Sequence, residues 1–179
     1  MLRNLFKSRP SRKLAEALYG QAVAQARRPV FYTDMGAPDR IDSRFELYTL
    51  HVLLLILRLR DEGPTGADAA QDLFDTYASA LDNTLRELGV GDVSVGKKMR
   101  KLGEALYGRM SAYEVAILAG DGDALALALT RNIMEVEGVT PGMKALADYT
   151  MRARAALADQ PFDGVMSAPA WPEPVLAPA

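Results

Sequence analysis

The sequence predicts an all-α fold: a single compact domain of about six helices around a central apolar helix, with flexible termini. Two observations carry that reading. Apolar residues recur at i, i+3, i+4 and i+7 through successive stretches between Ser11 and Ala158, and no segment shows sustained two-residue alternation. Clusters of Gly, Pro and Asp fall between those stretches and punctuate them.

Ser11 can cap a first helix, in which Leu14, Ala15, Leu18, Tyr19, Ala22, Val23 and Ala26 form one stripe. Arg27 and Arg28 complement its C-terminus and Pro29 stops it. The link RPVFYTDMGAPD cannot continue a helix. A second helix follows from about Asp39 to Arg60. Its later part, LHVLLLILRL, is apolar on every side, so it should be the surrounded, central helix. Gly63 and Pro64 end it. The third helix, about Thr65 to Leu88, carries Phe74, Tyr77, Ala78, Leu81, Leu85 and Leu88 at helical spacing.

Asp92 is placed to cap a long fourth helix whose inner face is Val95, Met99, Leu102, Leu106, Met110, Tyr113 and Ile117. Its opposite face holds Lys97, Lys98, Arg100, Lys101 and Arg109. Gly120-Asp121-Gly122-Asp123 turns the chain into a short fifth helix with Leu125, Leu129 and Ile133. Thr140 as cap and Pro141 at the first helical position open a sixth, to about Ala158.

The organisation is therefore a basic N-terminal arm (1–10), a helical domain (11–160) and a Pro-rich C-terminal tail (161–179). The arm region carries Arg3, Lys7, Arg9, Arg12 and Lys13 with no acidic residue, among Leu2, Leu5 and Phe6. Such a stretch can rest on an anionic membrane face or stay a frayed terminus. Five of the ten prolines crowd Pro161 to Pro178, which reads as an extended, loosely held tail around the single tryptophan, Trp171. The longest greasy run, Val52 to Leu57, is far short of the roughly 20 residues a spanning helix needs. A cytoplasmic chain, at most peripheral to a membrane, is expected.

Composition excludes several kinds of chemistry. With no cysteine there is no disulfide, thiolate metal site or Cys nucleophile. One histidine, His51, rules out paired Glu-x-x-His metal units and reads as a hydrogen-bonded core or boundary residue. A formal net charge of −2 argues against DNA and general nucleic-acid binding. Gly91 to Lys97 has the G-x-x-x-x-G-K spacing, but Lys98 stands where Ser or Thr should meet magnesium, and a helix precedes it where a strand is required. Ser94-Val95-Gly96-Lys97 matches S-x-x-K with no companion motif. No enzyme and no cofactor are expected. The repeated EALYG at 16–20 and 104–108 reads as coincidence, or as two helices needing a small residue after Tyr for close packing.

What remains is a surface. Phe31 and Tyr32 lie beside Arg27, Arg28, Asp34 and Asp39, and the next helix adds Arg44, Phe45, Glu46 and Tyr48. Arginine among aromatics is the composition of an interface core. Equally, Phe45 and Tyr48 can be plain core with Arg44 and Glu46 a solvated pair. The cationic face of the fourth helix suits an acidic or phosphate-rich partner.

Several blocks, in one order, carry a resemblance. They are Tyr19-Gly20-x-x-Val23-x-Gln25-Ala26-Arg27-x-Pro29-x-Phe31-Tyr32, then Pro38-Asp39, Arg44-Phe45-Glu46-Leu47, His51 and Arg58-Leu59. Leu88-Gly89-Val90-Gly91-Asp92, Val95-Gly96-Lys97-Lys98-Met99, Tyr107-Gly108-Arg109 and Tyr113 follow. Over roughly residues 10 to 158 the chain resembles the ubiquinol–cytochrome c chaperone family, departing from its pattern at Arg40 and Ser43, where a Thr and a Gly usually stand.

The resemblance implies an all-helical, non-catalytic assembly factor for the cytochrome bc1 complex, with newly made cytochrome b or another subunit as client. It also implies a small helical partner protein and contact with the ribosomal exit region or an anionic membrane surface through basic residues. The expected partner-binding residues are Arg27, Phe31, Tyr32, Asp39, Arg44, Phe45, Glu46, Tyr48, Asp92, Lys97, Lys98, Lys101, Tyr107, Arg109 and Tyr113. Two other readings stay open: a helical scaffold or regulator of another protein, and a small hydrophobic-ligand binder.

Overall fold

A computed structural model describes residues 9–87 and 92–175, with the side chains of 9–10, 85–86, 92–103 and 105 outside the description. Among the described residues there are eight α-helices and no strand: α1 (Arg9–Ala26), α2 (Val30–Thr33), α3 (Ile41–Arg60), α4 (Pro64–Glu87), α5 (Asp92–Ala119), α6 (Gly122–Leu129), α7 (Pro141–Ala158) and α8 (Phe162–Ser167). A π-helical segment, Thr130–Met134, prolongs α6.

The all-round apolarity of α3 has the predicted consequence. Its residues 49–59 are all buried, and α1, α4, α5, α7 and the π segment pack around it. Each fully buried Leu, Ile or Val there stabilises the fold by about 1.5–3 kcal/mol. The buried Arg58 is tolerated because its Nε donates to Leu157 O at 2.8 Å and an Nη to Gln160 O at 2.7 Å, satisfying carbonyls at the end of α7. The α7 start follows its sequence signature, since Thr140 accepts from Met143 N at 3.3 Å with Pro141 next in line.

Two expectations are corrected. α1 begins at Arg9, so Ser11 lies inside its first turn and does not cap it. The link after Pro29 does not continue α1, as expected, and a separate single turn, α2, forms there and buries Phe31. Residues 162–175 are neither extended throughout nor loosely held. Proline ends a helix arriving from upstream yet can stand at the start of the next, and Pro29 and Pro161 occupy the N-cap positions of α2 and α8.

Beyond α8 the chain lies against α1 and α7. Both terminal guanidinium nitrogens of Arg28 donate to the Glu173 carboxylate, and Gln160 exchanges two hydrogen bonds of 2.8 Å with the Ala170 backbone. The Trp171 ring meets His51 edge-on at 5.4 Å.

Two glycines are required by contact. A Cβ on Gly66 would stand 1.7 Å from Leu59 O, and one on Gly142 1.9 Å from Met35 O. At Gly20 and Gly108, the two ends of the EALYG echo, a Cβ would meet nothing within 4 Å. Close packing therefore does not explain the echo.

Candidate functional site

The first turns of α3 project Ile41, Asp42, Arg44, Phe45, Glu46 and Tyr48 toward one cleft of about 500 Å³. Tyr19 of α1, Leu81 and Thr84 of α4, Arg109 of α5, and Asn132 and Glu135 at the π segment complete it. The π turn matters to this assembly. It ends in Glu135 with φ 56°, the left-handed region, and Ser43 Oγ donates to Ile133 O at 3.3 Å, fixing the segment to α3.

At the floor lies Glu46, 1% exposed. Its carboxylate accepts from Arg109 Nε at 2.9 Å and from the Tyr113 hydroxyl at 2.9 Å, while Asn132 Nδ2 donates to that same hydroxyl at 2.9 Å. Burial pushes the Glu46 carboxyl up to about 7 against the pull of Arg109 and Tyr113, and the charge of Asp42 adds to the rise. Burial likewise pushes the Tyr113 phenol up, so it stays a neutral donor. The Arg109 guanidinium also lies over the Phe45 ring, 5.5 Å from its centre.

On the rim, Arg27 Nε donates to the Tyr48 hydroxyl at 2.7 Å, and its guanidinium lies 5.6 Å from the Tyr48 ring centre. Arg44 Nε donates to Asp39 at 2.6 Å, both side chains exposed. The Arg44–Glu46 solvated pair read as one alternative from the sequence does not exist: four helix positions separate Arg44 from Tyr48, but only two separate it from Glu46, which points inward.

Of the expected partner-binding residues, the cleft gathers Arg44, Phe45, Glu46, Tyr48 and Arg109. Arg27 and Asp39 border it through their bonds to Tyr48 and Arg44. Tyr32 is half-buried and donates to Ala26 O at 3.1 Å. Phe31 and Tyr113 are fully buried, so in this structure they are core and not surface. Tyr107, 75% exposed, stands on a different groove of about 600 Å³ between α3, α4 and α5. The side chains of Asp92, Lys97, Lys98 and Lys101 lie outside the described residues. Arg109, assigned to an outward cationic face, turns inward at 33% exposed.

Sequence reasoning missed Tyr19, Ile41, Asp42, Asn132 and Glu135 as cleft residues. One signal was present for Arg109: it stands four positions before Tyr113 and three after Leu106, bordering the apolar stripe. None was present for Asn132 and Glu135, whose placement depends on the π turn.

His51 is a satisfied core residue. Its Nδ1–H donates to Leu47 O at 2.8 Å and its Nε2 accepts from the Tyr149 hydroxyl at 3.2 Å, which in turn accepts from Gln25 Nε2 at 2.9 Å. This chain of donors fixes the neutral Nδ1–H tautomer, and burial holds the imidazole down to about 4. Among the described residues no three His, Cys, Asp or Glu side chains are grouped to hold a metal ion, and no helix is long and apolar enough to cross a membrane. Ser94 to Lys97 fall within α5, so the G-x-x-x-x-G-K spacing lies on a helix and not on the loop that a phosphate site requires.

Comparison with known proteins gives concordant results. Residues 33–171 match the family model described as ubiquinol–cytochrome C chaperone. Ubiquinol-cytochrome-c reductase complex assembly factor 1 of Xenopus laevis is 24% identical over 123 residues, covering 68% of this chain and 61% of that protein. The Mus musculus protein of the same description is 24% identical over 136 residues, covering 75% of this chain and 46% of its own length. The chain thus spans less than two thirds of either relative. The crystal structure of the Cbp3 homolog from Brucella abortus superposes with a TM-score of 0.80 at 35% identity, covering 97% of both chains. The match encloses α3 through α7 and so the whole cleft except Tyr19: the chain belongs to the ubiquinol–cytochrome c chaperone family.

Proposed function

We propose that this chain is a non-catalytic assembly factor for ubiquinol–cytochrome c reductase, holding newly made cytochrome b until it is assembled. The observation that carries the reading is the cleft itself. It is open, lined by half-buried Tyr19, Phe45 and Tyr48 with Ile41 66% exposed at its edge, and framed by arginines held in place by ion pairs. Aromatics and arginine in a preformed concavity are suited to gripping a polypeptide. The single histidine, His51, is sealed in the core, and Glu46 is held by Arg109 and Tyr113.

Cytochrome b helices are apolar and need cover before insertion, which calls for a grip and no reaction. In this proposal the chain works in the cytoplasm beside the inner membrane, and the basic sequence around Lys97, Lys98 and Lys101 serves its contact with anionic lipid or ribosomal surfaces. Deleting the gene tests it. Assembled cytochrome b should fall while other membrane complexes persist, and re-expression should restore it. Normal cytochrome b accumulation in the deletion strain refutes the reading.

A further inference from the structure

Resting on the reading that the cleft holds a client polypeptide, we infer that residues 168–175 are a releasable strap that keeps the edge of the cleft in its gripping arrangement, with Glu173 positioning Arg27 through Arg28. No residue of the strap lines the cleft. What the strap touches stands one step from it. Arg27 and Arg28 are consecutive in the short link between α1 and α2, and their side chains part. Arg27 Nε donates to the Tyr48 hydroxyl at 2.7 Å, while Arg28 donates through both terminal nitrogens to Glu173. Consecutive residues share one rigid peptide plane, so fixing Arg28 restricts the backbone that aims Arg27.

The strap grips the same link a second time. Trp171 meets the His51 ring edge-on at 5.4 Å, and Phe31 of α2 packs edge-on against that imidazole at 5.3 Å. The link is thus held before Pro29 by the Glu173 clasp and after it by the cluster around His51. Arg27 depends on this, because it is exposed and meets no carboxylate among the described residues. The hydroxyl and ring of Tyr48 are what its side chain has to hold it over the cleft edge.

Release of the strap does not require unfolding of the domain. Its hydrogen bonds all lie at exposed positions: the Glu173 clasp, the two bonds between Gln160 and the Ala170 backbone, and Arg152 Nη1 to Glu173 O at 3.3 Å. Of its side chains only Pro169 and Pro174 are buried, whereas α3 is buried without a break from 49 to 59. Segments held in this way open locally, at a fraction of the cost of global unfolding. Prolines at 169, 172 and 174 restrict the released segment, so redocking loses little entropy. Two states follow: strap docked with Arg27 on Tyr48, and strap released with the link free to move. A client that needs the first state is bound less tightly as the second becomes populated. A tail that merely anchored itself would leave the cleft indifferent to its release.

The single tryptophan makes docking visible in the full-length chain, since Trp171 emission should move to longer wavelength when the strap is released. Glu173→Arg sets like charges face to face at Arg28. It should produce that shift, keep the far-ultraviolet circular dichroism of the helices, and lower recovery of cytochrome b on the affinity-tagged chain about fivefold or more in cells of its source organism. Glu173→Gln should move emission and recovery in the same directions by less, and it serves if the reversal fails to fold. The charge swap, Arg28→Glu with Glu173→Arg, should restore emission and recovery together. A swap that restores emission but not recovery assigns Glu173 to direct contact with the client and overturns the positioning role. Wild-type recovery by a folded variant with shifted emission overturns the coupling, and unchanged emission in both Glu173 variants overturns the clasp. These outcomes leave the chaperone reading standing, whereas failure of the wild-type chain to recover any cytochrome b overturns that reading and this inference with it.

Discussion

Arg109 and Glu46 form a 2.9 Å ion pair that joins α5 to the central helix, with the carboxylate 1% exposed and the arginine one-third exposed. Removing the arginine leaves a buried carboxyl with only Tyr113 to satisfy it. Arg109→Met should destabilise the protein by about 1–3 kcal/mol, below the value for a fully buried pair because Arg109 is partly in water. Urea unfolding measures it. An unchanged midpoint would show that solvent replaces the arginine at no cost.

Glu46 and His51 impose opposite pH dependences on stability. The folded Glu46 carboxyl, up to about 7 from an ordinary 4.5, contributes stability present below 4.5 and lost as pH rises through 7. The folded His51 imidazole, down to about 4 from 6.5, contributes stability present above 6.5 and lost as pH falls through 4. Each is worth up to about 3 kcal/mol at the extreme. Between pH 4.5 and 6.5 the two offset one another. Glu46→Gln should unmask the histidine, giving a protein whose stability climbs with pH across that window more steeply than wild type. Denaturant titrations at half-unit pH steps check this, and parallel wild-type and variant curves would contradict it.

Four glycines sort by what surrounds them. Gly142→Ala and Gly66→Ala drive a methyl into backbone carbonyls and should each cost about 1–3 kcal/mol or more. Gly20→Ala and Gly108→Ala, inside α1 and α5 with open space beyond, should stabilise by about 0.5–1 kcal/mol. Melting temperatures of the four variants are expected to split into two pairs of opposite sign.

That split also marks how far the sequence could be read. Helical periodicity located the long helices, and Thr140-Pro141 marked the start of α7, because stripe and cap are local properties of the chain. The identity of α3 as the central helix followed from its uniform apolarity. Glycine packing was not legible: Gly20 and Gly66 both lie in helices, and only the neighbour across the gap distinguishes them. The cleft was half legible for the same reason. Arg44, Phe45 and Tyr48 stood out by composition, but the burial of Glu46 depends on Arg109 and Tyr113, 63 and 67 positions away. Asn132 and Glu135 line the same cleft as Asp42 only because the π segment lies beside α3.

The C-terminal segment gives the last expectation. Composition alone marked it as a loose tail, yet Glu173 is clasped by Arg28, Gln160 holds the Ala170 backbone, and Trp171 covers the edge of His51. What keeps His51 neutral is burial, and Trp171 supplies part of that burial. Trp171→Ala should therefore cost about 2–3 kcal/mol, less than a fully buried tryptophan because the ring is only partly buried. It should also let the His51 imidazole rise from about 4 toward its ordinary value, as water reaches the ring. Imidazole proton shifts followed by NMR between pH 4 and 7 report this directly, since the chain holds a single histidine. An unaltered His51 titration in a folded Trp171→Ala protein would mean that Phe31 and Tyr149 seal the imidazole by themselves, leaving the segment beyond α8 to act through Arg28, Arg152 and Gln160.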